Sequence, residues 1–353
     1  MSLLFSPLTI KSITLKNRLV ISPMCQYSAE DGMANDWHLV HLGSRAVGGA
    51  SLIMQEATAV SPEGRITAGD LGLWNHKQIE KLQAITRFIK AQGAIAGIQL
   101  AHAGRKASCA VPWLGGNQIA QSNGGWQTVS ASNLPFYPAD EAPIALTTDD
   151  IIKVVSDFKA ATERALEAGY QVIEIHAAHG YLIHQFLSPY SNHRTDAYGG
   201  SFDNRIRLLL EIVDAINTVW PAELPFFVRL SATDWVENAW DEQQTVQLST
   251  ILKNKRVDVI DCSTGGNVPG VKIPIEAGYQ VPFAKAVKHQ AYILSGAVGL
   301  ITTATQAEAI LQNQEADLIF IARASLRNAY FGLDAAKALG EEIAWPNQYV
   351  RAN

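Results

Sequence analysis

The 353-residue chain carries 28 Lys and Arg against 33 Asp and Glu, a net charge of −5, and 48% of its residues are hydrophobic. That balance, with the cations scattered, offers no electrostatic footprint for nucleic acid, and no run approaches the ~20 apolar residues of a membrane-spanning helix. Three widely spaced cysteines, Cys25, Cys109 and Cys262, argue against a disulfide framework, a zinc ribbon or a four-cysteine iron–sulfur cluster.

The N-terminus lacks the pattern of a secretory leader, so a cytoplasmic protein is expected. Residues 6–17 (SPLTIKSITLKN) read as a small hairpin closing the bottom of a barrel. Short, β-rich apolar runs then recur at residues 19–24, 51–57, 95–102, 171–178, 225–232, 257–266, 291–299 and 317–324. Amphipathic helical patterns separate most of them. Residues 76–93 carry Ile79, Leu82, Ile85 and Ile89 on one stripe and stop at Gly93, a residue suited to the left-handed cap. Residues 147–169 open on Thr and Asp capping chemistry and stop at Gly169, and residues 204–220 and 241–254 repeat the theme.

Continuously apolar strands alternating with helices are the pattern of a parallel sheet buried on both faces. Eight such units favour a closed α/β (β/α)8 TIM barrel over an open sheet, as one domain over residues 1–353. Residues 103–147, rich in Gly, Pro, Ser and Trp, are too long for a simple connection after strand 3. They read as a loop insertion capping one mouth, and residues 340–353 as a C-terminal tail.

In such a barrel chemistry gathers at the C-terminal strand ends. In chain order those ends offer Pro23 to Tyr27, Glu56 to Thr58, Gln99 with His102, and His176, His179 and Tyr181. Arg229, Ser263 to Gly266, Gly296, Gly299 and Arg323 come next. Polar groups from eight segments would meet at one mouth. Gly296, Gly299 and Arg323 close the last two strands, where barrels often hold phosphate: glycine admits close backbone approach and arginine supplies a fork, against the alternative of glycines that only turn the chain and a surface arginine. His176 and His179 stand at i,i+3 after a strand, without converging carboxylates, whereas a helical zinc pair uses i,i+4; no metal is expected. His184, beyond the turn, reads as an ordinary helical polar residue outside the site.

Residues 22–60, 97–108, 176–207 and 317–327 resemble the Old Yellow Enzyme family. They are most similar to its short bacterial branch, which includes xenobiotic reductases and has Cys where other members carry Thr. The similarity runs from about residue 5 to the C-terminus, and SNxRxDxYGGSxxNR (residues 191–205) is a highly specific stretch of it. The resemblance implies a barrel with tightly but non-covalently bound FMN, reduced by NADPH or NADH. Activated alkenes such as enones, maleimides or nitro compounds would then be reduced.

It further implies that His176 and His179 donate to the oxygen of a small enone-type substrate, where preorganised donors stabilise enolate charge. Tyr181 would protonate Cα; an aromatic packed over the mouth is the competing reading. Cys25 would lie beside flavin and substrate and tune the potential, against the alternative of a small buried apolar residue. Tyr27 would line the substrate pocket. Pro23, Met24 and Ala57 would meet the flavin ring, Gln99 its pyrimidine side, Arg229 the N1/O2 edge, and Gly299, Ala322 and Arg323 the phosphate. Arg229 could instead pair with Asp261 on the next strand. The tail resembles a segment that in this branch enters a neighbouring subunit, so Arg351 would complete the partner's site in a homodimer or homotetramer, a frayed terminus being the alternative. A metal-assisted hydrolase and a non-catalytic barrel for a phosphorylated ligand are the contrasting readings.

Overall fold

The computed structural model describes residues 2–352 and has eight parallel strands closed on themselves at its centre. They are β1 (Leu19–Ile21), β2 (Leu52–Ala59), β3 (Ile95–Ala101), β4 (Val172–Ala177), β5 (Phe226–Ser231), β6 (Val259–Ser263), β7 (Leu294–Ala297) and β8 (Leu318–Ile321). β8 pairs with β1 to shut the barrel. The (β/α)8 architecture expected from the sequence is the one observed, each apolar run supplying one strand.

Alternate side chains of a barrel strand point inward, so the interior fills in layers. The lower layer is apolar: Val20, Leu52, Met54, Val172, Phe227, Val259, Leu318 and Phe320 form one cluster. Leu8–Ile10 and Ile13–Leu15 pair antiparallel, and Ile10, Ile13 and Leu15 of this hairpin join that cluster. The hairpin thus plugs the barrel bottom, each of these side chains contributing about 1.5–3 kcal/mol by burial.

One layer higher the chemistry changes. Register sets Gln99 beside Glu174, and Arg229 between His176 and Asp261. Four neighbouring strands therefore carry a polar belt. On the far side of Asp261 comes Gly296, whose missing side chain leaves room for Phe320; an added Cβ would lie 2.3 Å from that ring.

The helices between strands are α1 (Asp36–Val47), α2 (Ile79–Ala91), α3 (Thr148–Glu167), α4 (Leu182–Leu187), α5 (Phe202–Asn217), α6 (Glu242–Asn254), α7 (Val281–Ala286) and α8 (Ala304–Gln312). The α2 stripe of Ile79, Leu82, Ile85 and Ile89 is buried. α3 begins on a capping box in which Thr147 and Asp150 each accept the other's backbone N–H, an arrangement that stabilises by about 1 kcal/mol. Residues 103–147 contain single helical turns, isolated bridges at Cys109 and the short pairing of Val129–Ser130 with Ile144–Ala145. Buried Arg105 ties this insertion down through the carbonyls of Leu134, Pro135 and Asn267. Among the described residues no helix is long and apolar enough to cross a membrane.

Candidate active site

After His176 the chain turns sharply into α4. His179 is left-handed at φ +58 and Gly180 follows at φ +72. A Cβ on Gly180 would sit 2.3 Å from the Gly266 carbonyl oxygen, so only glycine allows this close approach to the β6 end. The turn swings His179 back over His176, with ring centroids 5.0 Å apart and planes at 81°.

His176 Nδ1 accepts the Ala178 N–H at 3.2 Å, which leaves the proton of the neutral ring on Nε2. That Nε2 lies 3.2 Å from His179 Nδ1, and His179 Nε2 lies 2.6 Å from Ser263 Oγ. One assignment satisfies every contact. His176 donates to His179, His179 donates to Ser263, and Ser263 donates to Gln280 Oε1 at 3.4 Å. Burial first, and then the charge of Arg229, hold both imidazoles well below the usual histidine range, so both rings are neutral. From the sequence, both N–H groups are expected to point at a substrate oxygen. The rings do come together, but each N–H is turned onto a protein neighbour. Ser263 lies within a strand end that the sequence marks; Gln280, which also donates to the Val298 carbonyl at 3.1 Å, was missed because no spacing signal links α7 to β7.

The Tyr181 ring stands 4.8 Å from His176 at 87°. Burial drives its phenol well above the ordinary value, so it is a protonated donor, and its hydroxyl has no hydrogen-bond partner among the described residues. Lys106 was also missed in the sequence, as a lone cation inside a loop. Its Nζ donates to the carbonyls of His179 and Gly266, each at 2.9 Å. It lies 5.2 Å from the Tyr181 ring and 4.5 Å from the Phe136 ring. No carboxylate pairs with it among the described residues, and burial, then Arg105, lower its pKa to about 8. Tyr27, Lys106, Cys109, Phe136 and Gly266 line a cavity of about 280 Å³, walled on one side by the 103–147 insertion.

The segment after β1 forms the opposite lip. Glu56 Oε2 accepts the Gln26 N–H at 2.7 Å, and Glu56 Oε1 lies 3.4 Å from His38 Nε2. This pair holds Cys25 and Tyr27 in place, Tyr27 at φ +51. Burial, followed by the charges of Asp70 and Glu56, pushes the Cys25 thiol up, so it is a thiol and not a thiolate nucleophile. Ala57 sits beside a register shift in the pairing of β2 with β3, next to half-buried Pro23 and Met24 in the mouth.

The belt and the last two strand ends test whether the FMN that the resemblance implies fits. Gln99 Nε2 donates to Glu174 Oε1 at 2.7 Å. Arg229 Nε stands 3.2 Å from Asp261 Oδ2, so the alternative pairing read from the sequence is present. Yet the two terminal nitrogens of this buried guanidinium have no protein partner among the described residues. At the other end, the backbone N–H groups of Gly299, Ala322 and Arg323 likewise have none. Gly299 takes φ +123, and exposed Arg323 makes no salt bridge among the described residues. A free cationic fork at one end and unpaired N–H groups with an arginine at the other fit a ring that becomes anionic and a phosphate.

Three placements differ from, or add to, the sequence expectations. His184 is no peripheral polar residue: it is wholly buried, accepts the Gly180 N–H at 3.0 Å through Nδ1 and stands 3.1 Å from Asp234 Oδ1 through Nε2. It anchors the His179–Gly180 turn from below. Arg351 is exposed in the final turn, and residues 343–348 pack near Lys16, Asn17 and Gly93 at the N-terminal ends of the strands, away from the histidines of its own chain. The specific 191–205 stretch is scaffold: Asn192 Nδ2 donates to the carbonyls of Phe186 and Tyr198 at 2.7 Å each, and Arg194 donates to those of Ala131 and Leu146. No group of three or more His, Cys, Asp or Glu side chains gathers as a metal site among the described residues.

The profile of the NADH:flavin oxidoreductase / NADH oxidase family matches residues 3–342. An NADPH dehydrogenase of Bacillus velezensis is 48% identical over 351 residues, covering 99% of this chain and 98% of that protein. Morphinone reductase superposes with a TM-score of 0.81 at 28% identity, over 98% of this chain and 92% of the other. A 2-naphthoyl-CoA reductase gives a TM-score of 0.85 at 22% identity, a likeness of fold alone in which the chain spans 52% of that protein's length.

Proposed function

The chain belongs to the NADH:flavin oxidoreductase / NADH oxidase family, the Old Yellow Enzyme type of FMN-dependent, NAD(P)H-oxidising enzyme, and on that premise we propose that it reduces activated C=C bonds in a ping-pong cycle. FMN, when bound, supplies the hydride chemistry, acceptance from NAD(P)H and delivery from N5 to the alkene Cβ. Pro23, Met24, Cys25 and Ala57 would border the ring, Gln99 and Arg229 its pyrimidine end, and Gly299, Ala322 and Arg323 its phosphate.

The observation that carries the reading is the neutral His176–His179–Ser263 series beside an unpartnered, protonated Tyr181. A carbonyl or nitro oxygen entering the mouth receives both imidazole N–H groups once the His176–His179 and His179–Ser263 bonds open. Opening each such bond costs about 0.5–1.5 kcal/mol, which two bonds to an oxygen gaining negative charge offset. Tyr181 then donates its phenol proton to Cα, and solvent returns it. Tyr27, with Cys25, bounds the small enone-type substrate. Arg351 would reach the mouth of a neighbouring subunit, making a homodimer the minimal complete enzyme.

The test is the double variant His176→Ala/His179→Ala, loaded with FMN. Each lost donor is expected to lower enone turnover about 10²- to 10³-fold, and phenols should no longer perturb the flavin spectrum. Phenol binding and turnover both unchanged would refute the assignment.

A further inference from the structure

Resting on the reading that Gln99 and Arg229 meet the pyrimidine end of the flavin, we propose that Glu174 is a positioning residue for the redox centre. It selects the edge that Gln99 presents and, with Asp261, sets how much of the Arg229 charge is left for the cofactor.

The placement follows from register. Glu174 lies beside Gln99 on β3, and Asp261 beside Arg229 on β5, all pointing into one layer of the barrel. Glu174 is wholly buried. Its Oε1 takes the Gln99 Nε2–H at 2.7 Å, which leaves the Gln99 carbonyl oxygen as the group still able to accept. Among the described residues its Oε2 receives no hydrogen bond and neither oxygen of Asp261 receives one; the compensation in this layer is the 3.2 Å approach of Arg229 Nε to Asp261.

Two ionised carboxylates and one guanidinium in a dry layer leave an excess negative charge with orphaned acceptors, an expensive state. One proton removes the excess. Burial, and then Asp261, push the Glu174 carboxyl up, and burial also pushes Asp261 up. Arg229 Nε, 3.2 Å from Asp261 Oδ2, favours the ionised form there, so Glu174 is the group that holds the proton. The charged and titratable groups facing it are Arg229 from β5 and Asp261 from β6, with Gln99 as the polar neighbour on β3. His176, next above on its own strand, is neutral.

The consequence is a charge that changes beneath the cofactor. With Glu174 protonated, the belt is neutral overall and the Arg229 fork is free to stabilise an anionic reduced ring. With Glu174 ionised, the belt becomes negative and the reduced form is disfavoured. The midpoint potential should therefore fall more steeply with pH once Glu174 begins to ionise.

The experiment is the flavin midpoint potential, by equilibrium reduction against a reference dye from about pH 6 to about pH 9, on FMN-loaded wild type, Glu174→Gln, Asp261→Asn and Arg229→Gln. Wild type should show a break to a steeper slope. E174Q, isosteric and unable to ionise, should lose the break, match wild type at the acid end and lie above it at the alkaline end. D261N should move the break to lower pH, because removing a nearby negative charge eases ionisation; it carries the test if E174Q binds no FMN. R229Q should weaken FMN binding at least about tenfold and lower the potential. If R229Q changes neither, the pyrimidine-end reading fails and the role of Glu174 with it. If R229Q changes both while E174Q keeps the wild-type break, the role of Glu174 alone is refuted.

Discussion

Lys106 places a cation against the proposed proton donor, with no acid among the described residues to neutralise it. Its ammonium clamps the His179 and Gly266 carbonyls at 2.9 Å and lies 5.2 Å from the Tyr181 ring. Positive charge there eases loss of the phenol proton. With a pKa lowered to about 8, the group is charged below that pH and neutral above it. The alkene-dependent half-reaction should therefore slow as pH rises through about 8. Lys106→Met should be about 10-fold slower near neutrality, within the 0.5–2 kcal/mol range of a cation over a ring, and should lack that alkaline limb. A stopped-flow pH profile of flavin reoxidation reads both; an identical limb in the variant would rule Lys106 out. The stability linkage has the opposite sense. Unfolded lysine titrates near 10.4, so between about pH 8 and about pH 10.4 the unfolded chain binds the extra proton, and Lys106 makes the fold more stable as pH rises through that window. At this scale the sequence was legible for His176, His179 and Tyr181, because they sit at a strand end with a recognisable spacing. It was not legible for Lys106 or Gln280, which reach the site from a loop and from the residue before a short helix, nor for His184, whose burial against Asp234 depends on long-range packing.

The elements were easier to read where a period or a cap declares them. The α2 stripe and the α3 capping box lie where the pattern puts them. The apolar runs overshoot the strands: residues 19–24 yield only Leu19–Ile21, and residues 257–266 only Val259–Ser263. The overshoot has a physical reason, since the residues past each strand end are apolar or small for the sake of the mouth they line. The hairpin is the clearest case of an element whose role follows from composition. Leu15 is 1% exposed in the lower layer with Val20, Leu52 and Phe320. Leu15→Ala should cost about 2–5 kcal/mol, seen as a lower denaturation midpoint by circular dichroism with the flavin spectrum of the remaining folded protein unchanged. A loss below about 0.5 kcal/mol would mean that the hairpin covers the barrel bottom without supporting it. A stretch highly specific to the family, residues 191–205, proves to be structural, its Asn192, Arg194 and Arg205 making backbone contacts behind the site.

Over the whole molecule, the closed barrel converts scattered sequence features into one mouth. Its lower layer is apolar and plugged, its middle layer carries the Gln99–Glu174–Arg229–Asp261 belt, and its rim carries the donors. An apolar floor, a charged layer and a rim of neutral donors is the arrangement that the proposed flavin chemistry would use. The tail and Arg351 lie outside this mouth in the single chain, so completion of the site by a partner subunit stands as a proposal. The proposed cycle has one mouth serve NAD(P)H and alkene in turn. It is measured by the pair of half-reactions under argon: the purified yellow protein mixed with NADPH alone, then the reduced protein, freed of nucleotide, mixed with 2-cyclohexenone alone. Complete bleaching is expected in the first step, recovery of the oxidised spectrum in the second, and one equivalent of saturated ketone per flavin. Reoxidation that fails without nucleotide present, or a protein that binds no FMN, would contradict the cycle.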